Sequence, residues 1–319
     1  MPWKQIQKTN FTSIRLLADF LELSKINREI LLKRNDFPLN VPMRLARKMQ
    51  KNSISDPLFK QYVSVSDERI VTKGYSRDPL QDSTFCKTPK LLKKYAGRAL
   101  LLCTQACAMH CRFCFRQNFP YAPLQSKFDR EIEHLGSDST IKEVILSGGD
   151  PLSLPDRYLR ELCHRLASIP HVRIIRFHTR FLIGIPERIT QELLSLVPKN
   201  IQTYFAIHIN HPLELDVDVI AACKALQKEG IQLLSQTVLL KGINDDVSLL
   251  EELFFDLAGI GVIPYYLHQL DRVIGAEHFF VPKEKGLALI KQLQERLPGY
   301  AVPRYVEEIP GYSHKMRIF

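Results

Sequence analysis

Cys107-Ala108-Met109-His110-Cys111-Arg112-Phe113-Cys114 is the stretch on which the fold turns. Its thiols are spaced C-x3-C-x2-C and follow directly on an apolar, β-rich run at 99–104. Three thiols this close in sequence can curl around one metal centre. A four-iron cube takes a ligand on each iron, usually a thiolate. Three thiolates therefore leave one iron open to another molecule. The rival is a zinc site, which needs a fourth ligand from His110 or Cys103. The x3-x2 spacing and the place after a strand favour the cluster. Phe113 is suited to shielding such a cluster, and equally to a core.

Outward from this motif the chain settles into a rhythm. Apolar strand candidates at 99–104, 143–146, 172–178, 201–209, 232–240 and 262–267 alternate with helical windows at 155–168, 186–196, 213–228 and 247–257. Alternating strand and helix predicts a parallel sheet with crossover helices. Six such units predict an α/β fold, a partial (βα)6 TIM-like barrel; a doubly wound open sheet has the same pattern. In both, chemistry belongs at the C-terminal ends of the strands. Residues 1–98 read differently. Ile14, Leu17, Ala18 and Leu21 share one helical face, a second helical stretch lies near 42–50, and Asp56-Pro57 and Asp78-Pro79 mark turns. The expected organisation is an N-terminal helical region, 1–98, followed by a catalytic region, 99–319.

Hydrophobic residues make up 45% and charged residues 24% of the 319, enough for a sizeable core. No apolar run approaches the ~20 residues of a membrane span, and the N-terminus lacks an apolar signal region. The expected compartment is the cytoplasm. Seven cysteines, an odd number in a reducing compartment, do not form a disulfide framework, and four of them crowd between Cys103 and Cys114. The net charge of +10 suits an acidic protein partner or anionic cofactors. Lys and Arg are scattered without a run of five, so nucleic acid is not expected as a partner.

The second strand candidate ends in Ser147-Gly148-Gly149-Asp150. With the cysteine motif before it, this resembles the radical S-adenosylmethionine (SAM) superfamily. The resemblance implies a [4Fe-4S] cluster held by Cys107, Cys111 and Cys114, with SAM on the fourth iron. It also implies that Ser147, Gly148, Gly149 and Asp150 contact the methionine part of SAM, since glycines let a backbone approach a ligand closely.

Over most of residues 60 to 315 the chain is similar to the lysine 2,3-aminomutase family. The likeness is carried by Cys111–Arg116, by 146–152, by His208-Ile209-Asn210-His211-Pro212, by 236–245, by 264–271 and by Pro310-Gly311-Tyr312-Ser313-His314-Lys315. It implies a second cofactor, pyridoxal 5′-phosphate (PLP), whose aldehyde condenses with Lys315. Here Gly311 is followed by Tyr312, Ser313 and His314 where the family has a run of glycines, so Lys315 is placed by register. Arg116 matches the family's arginine for the substrate carboxylate, a task suited to a bidentate fork. Asp271 and Glu308 match its two acids for the ε-ammonium, with Glu308 where typical members have Asp. His208 and Gln236 match positions near the adenosyl group, and Arg98 is a weaker candidate for the PLP phosphate. The implied reaction turns L-α-lysine into β-lysine, of R configuration, with an external electron donor. The chain ends at Phe319, short of the zinc-binding extension of longer members. It resembles the short bacterial branch whose product a ligase attaches to elongation factor P. The rivals are a radical SAM enzyme with other chemistry, for example one without PLP, an aminomutase acting on another amino acid, such as glutamate, and a non-enzymatic zinc protein that contacts nucleic acid.

Overall fold

Residues 2–32, 37–121 and 127–319 are described by the structure, a computed structural model. Five short helices come first: α1 (Trp3–Gln7), α2 (Ile14–Phe20), α3 (Lys25–Glu29), α4 (Met43–Lys48) and α5 (Pro57–Tyr62). Asp56-Pro57, legible as a turn, starts a helix instead. The Asp56 carboxylate accepts from the Leu58 and Phe59 amides at 2.9 and 2.8 Å, and Pro57 has no N–H left unsatisfied at the first turn.

A hairpin follows, β1 (Cys86–Thr88) and β2 (Leu91–Tyr95), and leads into β3 (Arg98–Thr104). Next come α6 (Asp129–Ser137), β4 (Glu143–Gly148), α7 (Asp156–Ala167), β5 (Ile174–Thr179), α8 (Phe181–Gly184) and α9 (Gln191–Leu196). They are followed by β6 (Gln202–His208), α10 (Val217–Lys228), β7 (Gln232–Val238), α11 (Val247–Gly259), β8 (Ile263–His268) and α12 (Lys283–Arg296). Strands β9 (Arg304–Glu307) and β10 (Met316–Arg317) end the order.

Strands β3 to β9 are parallel neighbours in sequence order, so six strand–helix units are followed by a seventh parallel strand. The partial barrel expected from the six-unit rhythm is thereby observed. The seventh strand is only four residues long, too short to stand out as an apolar run. The hairpin and β10 add antiparallel edges. The sheet is not closed by strand pairing, yet its two sides come together: Lys94 on β2 lies 3.1 Å from the carboxylate of Glu308, one residue beyond β9. Side chains bridge the seam that hydrogen-bonded strands leave open.

Period-two alternation explains the two faces of the sheet. On β5, Ile175 and Phe177 are buried, while Ile174, Arg176 and His178 line an interior cavity. Helix α7 buries Leu159, Leu162, Cys163 and Leu166, spaced for one helical stripe. Asp216 and Asp246 cap α10 and α11 by accepting from the second and third amides. The N-terminal helices pack into the same hydrophobic core as the barrel. Trp3 meets Phe181 edge to face at 5.5 Å, and Arg44 pairs with Asp216 and Asp218 at the start of α10. No helix among the described residues is long and apolar enough to cross a membrane.

Candidate active site

The interior cavity measures about 910 Å³ and is walled by side chains from β2 through β8 and the segment around β9 and β10. A full eight-unit barrel fills this space with core side chains. Here it stays unfilled, with apolar walls that carry a set of charged and polar groups. Cys107, Cys111, Cys114, Arg116, Ser147, Gly148, Gly149, Asp150, His208, Gln236, Asp271, Glu308, Lys315 and Arg98 all border it. Residues 217 positions apart in sequence thus share one chamber, which runs from Arg98 at the start of β3 to the C-terminal ends of the strands.

The cysteine loop leaves β3 and is clamped from beside β4. Gly149 N–H donates to Thr104 O at 2.6 Å and Asp150 N–H to Ala106 O at 2.8 Å. A Cβ on Gly149 would stand 2.4 Å from Ala106 O, and one on Gly148 2.6 Å from Thr104 O; Gly148 also has φ +116°. These glycines admit the chain's own backbone, which seats the loop one residue before Cys107. Asp150 accepts from Leu152 N–H, Arg180 N–H and Thr179 Oγ1, so it ties the loop after β4 to the end of β5. Burial nevertheless pushes its carboxyl up to about 6.

Burial raises the thiols of Cys107, Cys111 and Cys114, the last to about 11, and their mutual repulsion raises Cys107 and Cys114 further. Thiolates here call for a strong cationic centre. Among the described residues no three His, Cys, Asp or Glu side chains stand close enough to hold one ion. The two side chains that would complete a zinc set are engaged elsewhere. His110 Nδ1 sits 2.8 Å from Pro38 O, and Cys103 is buried within β3.

A chain of charges crosses the chamber. Arg116 donates from Nε to Asp82 at 2.8 Å and from Nη1 to Ser147 Oγ at 3.3 Å. Asp82 also pairs with Lys94, Lys94 with Glu308, and Glu308 with Lys315. Burial acts to raise the Glu308 carboxyl, but the Lys315 and Lys94 ammoniums outweigh it and hold it well below the carboxylate range. Burial raises Asp271, and repulsion from Glu308 adds to it, bringing the carboxyl up to about 7. His178, His208 and His268 stand at the ends of β5, β6 and β8, where burial lowers each, His208 to about 3. All three are neutral at pH 7.

Asp82, Lys94, Arg180, His178 and His268 escaped the sequence reading. His178, His268 and Arg180 carried a usable signal, a polar side chain at or just past the C-terminal end of an apolar run. Asp82 and Lys94 carried none, because their importance arises from the seam of the sheet.

The chain matches the model for the radical SAM superfamily over residues 101–253. It is 38% identical over 318 residues to an L-lysine 2,3-aminomutase of Haemophilus influenzae, covering 98% of this chain and 94% of that one. Two further L-lysine 2,3-aminomutases are similar. That of Escherichia coli K12 is 39% identical over 283 residues, 88% of this chain and 82% of its own. That of Buchnera aphidicola is 36% identical over 286 residues, 88% and 84%.

Proposed function

The chain belongs to the lysine 2,3-aminomutase family of radical SAM enzymes, and from that membership we propose that it isomerises L-α-lysine to β-lysine in the chamber just described. Membership makes it an isomerase and implies a [4Fe-4S] cluster, SAM and PLP as cofactors. The chamber's chemistry fits them. Three thiols stand in the glycine-clamped loop, a lysine amine borders the same cavity, and the Nε2 atoms of His178 and His208 are buried without a partner among the described residues. Together these cofactors supply one-electron hydrogen abstraction and a conjugated carbonyl that carries the migrating nitrogen.

The observation that carries the substrate assignment is that Asp271, Glu308 and Arg116 border the same cavity, with Arg116 linked to Glu308 through Asp82 and Lys94. Arg116 is held at Nε by Asp82 and at Nη1 by Ser147 Oγ, and its remaining N–H groups would serve a carboxylate. Glu308 already holds an ammonium, that of Lys315. Glu308 pairs with both Lys94 and Lys315, so this wall of the cavity already accommodates ammonium groups, and Glu308 with Asp271 would receive the ε-ammonium of lysine. Asp271, carrying its proton near neutrality, ionises as that ammonium arrives, because an adjacent cation favours the anion. Two acids at this end disfavour glutamate. The neutral histidines add no charge that would compete for either end of the substrate.

For the finer points, we assign the R product to a cytoplasmic role in modifying elongation factor P through a partner ligase. The motif pattern of the short bacterial branch supports this, as does a net charge of +10, which suits an acidic partner.

The test uses protein reconstituted anaerobically with iron and sulfide. Incubation with L-α-lysine, SAM, PLP and a one-electron reductant gives a product of unchanged mass and shifted retention. Borohydride fixes a pyridoxyl group on the wild type and not on Lys315→Ala. Unchanged lysine in the complete mixture refutes the activity, and a pyridoxyl group on the alanine variant refutes the role of Lys315.

A further inference from the structure

Behind the cysteine loop lies a buried polar network that the substrate reading does not use. Arg180, one residue past β5, is 8% exposed, and its partner Glu214 is fully buried. Arg180 Nη1 donates to Cys111 Sγ at 2.8 Å, while Nη2 donates to Glu214 Oε1 at 2.5 Å and to Gln61 Oε1 at 2.6 Å. Glu214 also accepts from Tyr62 Oη at 2.7 Å and from Asn210 N–H at 2.6 Å. The guanidinium lies over the rings of Tyr62 and Phe113, 5.0 and 5.4 Å from their centres. Its backbone is fixed in turn by Asp150, which accepts the Arg180 N–H at 2.7 Å.

A buried ion pair of this kind is a weak source of stability, since apolar replacements often serve as well. Its geometry serves another end. One rigid cation faces a carboxylate on one side and a candidate ligand sulfur on the other. Cys114, by contrast, takes a backbone N–H from Arg116. Hydrogen bonds and charge at the ligand sulfurs are what tune the potential of an iron–sulfur cluster.

We propose that Arg180 is a positioning residue that raises the reduction potential of the cluster through its N–H donation to Cys111 Sγ, with Glu214 moderating the effect. The inference rests on the reading of Cys107, Cys111 and Cys114 as cluster ligands. On reduction the cluster takes one electron from an external one-electron donor and gains one unit of negative charge. Arg180 stabilises that added charge, and Glu214 opposes it.

The two variants therefore move in opposite directions. In reconstituted full-length protein, iron and sulfide are assayed first, which tests the ligand reading separately. The potential is then read from the reduced-cluster EPR signal in a redox titration. Arg180→Met lowers the reduced-to-oxidised ratio about tenfold at fixed solution potential, about 59 mV for one electron. Glu214→Gln raises the ratio. If Arg180→Met does not fold, Glu214→Gln alone decides, upward in support and unchanged or downward against. With both variants in hand, ratios within twofold of wild type, or shifts in the same direction, overturn the proposal. A wild type that retains no iron overturns its premise as well.

Discussion

Gly149→Ala tests whether the glycine pair acts by seating the cysteine loop. The added methyl would begin 2.4 Å from Ala106 O, 2.6 Å from Gln105 C and 2.7 Å from Gln105 O, all backbone atoms. Real Cβ contacts do not come within 3.0 Å, so the loop must retreat from 2.4 Å to at least that distance. Retreat stretches the Asp150 N–H to Ala106 O bond, now 2.8 Å, and carries Cys107 with it. Overpacking of this kind costs ~1–3 kcal/mol. For 319 residues the unfolding entropy at Tm is about 0.7 kcal/mol/K, so the melting point falls by about 1.5–4.5 °C. Differential scanning calorimetry of the metal-free protein reads this, and iron content after reconstitution falls several-fold beside it. The control is Gly259→Ala at the end of α11, where a methyl meets nothing within 4 Å and φ is not positive. There Tm is unchanged or raised, by at most ~1 kcal/mol of added stability. Gly149→Ala melting with wild type and binding full iron would refute the steric argument.

Two substitutions address the charged groups of the chamber. Asp271 holds its proton up to about 7 in the folded protein, well above its unfolded value near 3.9. The native state therefore binds the extra proton between about pH 4 and 7, and this group's contribution to stability is lost as pH rises through that window. Solvent in the cavity screens part of the effect, leaving on the order of 1–3 kcal/mol. Asp271→Asn cannot ionise, so denaturant melts show it gaining on wild type by that amount from pH 4 to 8; a constant difference across the range contradicts the shift. Glu308 runs the other way, its contribution vanishing as pH falls below the carboxylate range. Arg116→Lys keeps the charge but loses the fork, so kcat/KM for lysine falls ~10–100-fold, mostly in KM, with iron content unchanged. An unchanged KM with lost iron would assign Arg116 to the loop's structure instead.

The two glycines predict from the sequence a close backbone approach, and in the structure the loop before Cys107 makes one, while both glycines also border the cavity. The strand rhythm was legible because apolar runs must alternate with amphipathic helices to cover both faces of a parallel sheet. Strands β1, β2, β9 and β10 were not, being short and held by their neighbours rather than by pattern. The acids Asp271 and Glu308 were legible only through a family likeness, since a lone carboxylate in sequence is indistinguishable from a surface charge.

By itself the sequence determined the cysteine triplet, the α/β class and the six repeating units, because spacing and hydrophobic period are local properties. The tertiary structure alone decided how Asp82, Lys94, Glu308 and Lys315 join into one chain of charge, and how Arg180 reaches Cys111 from 69 residues away. The physical reason is the curl of the sheet. It brings β2 against the segment after β9, and the electrostatics of a buried group depend on what stands within a few ångströms, not on what precedes it in the chain.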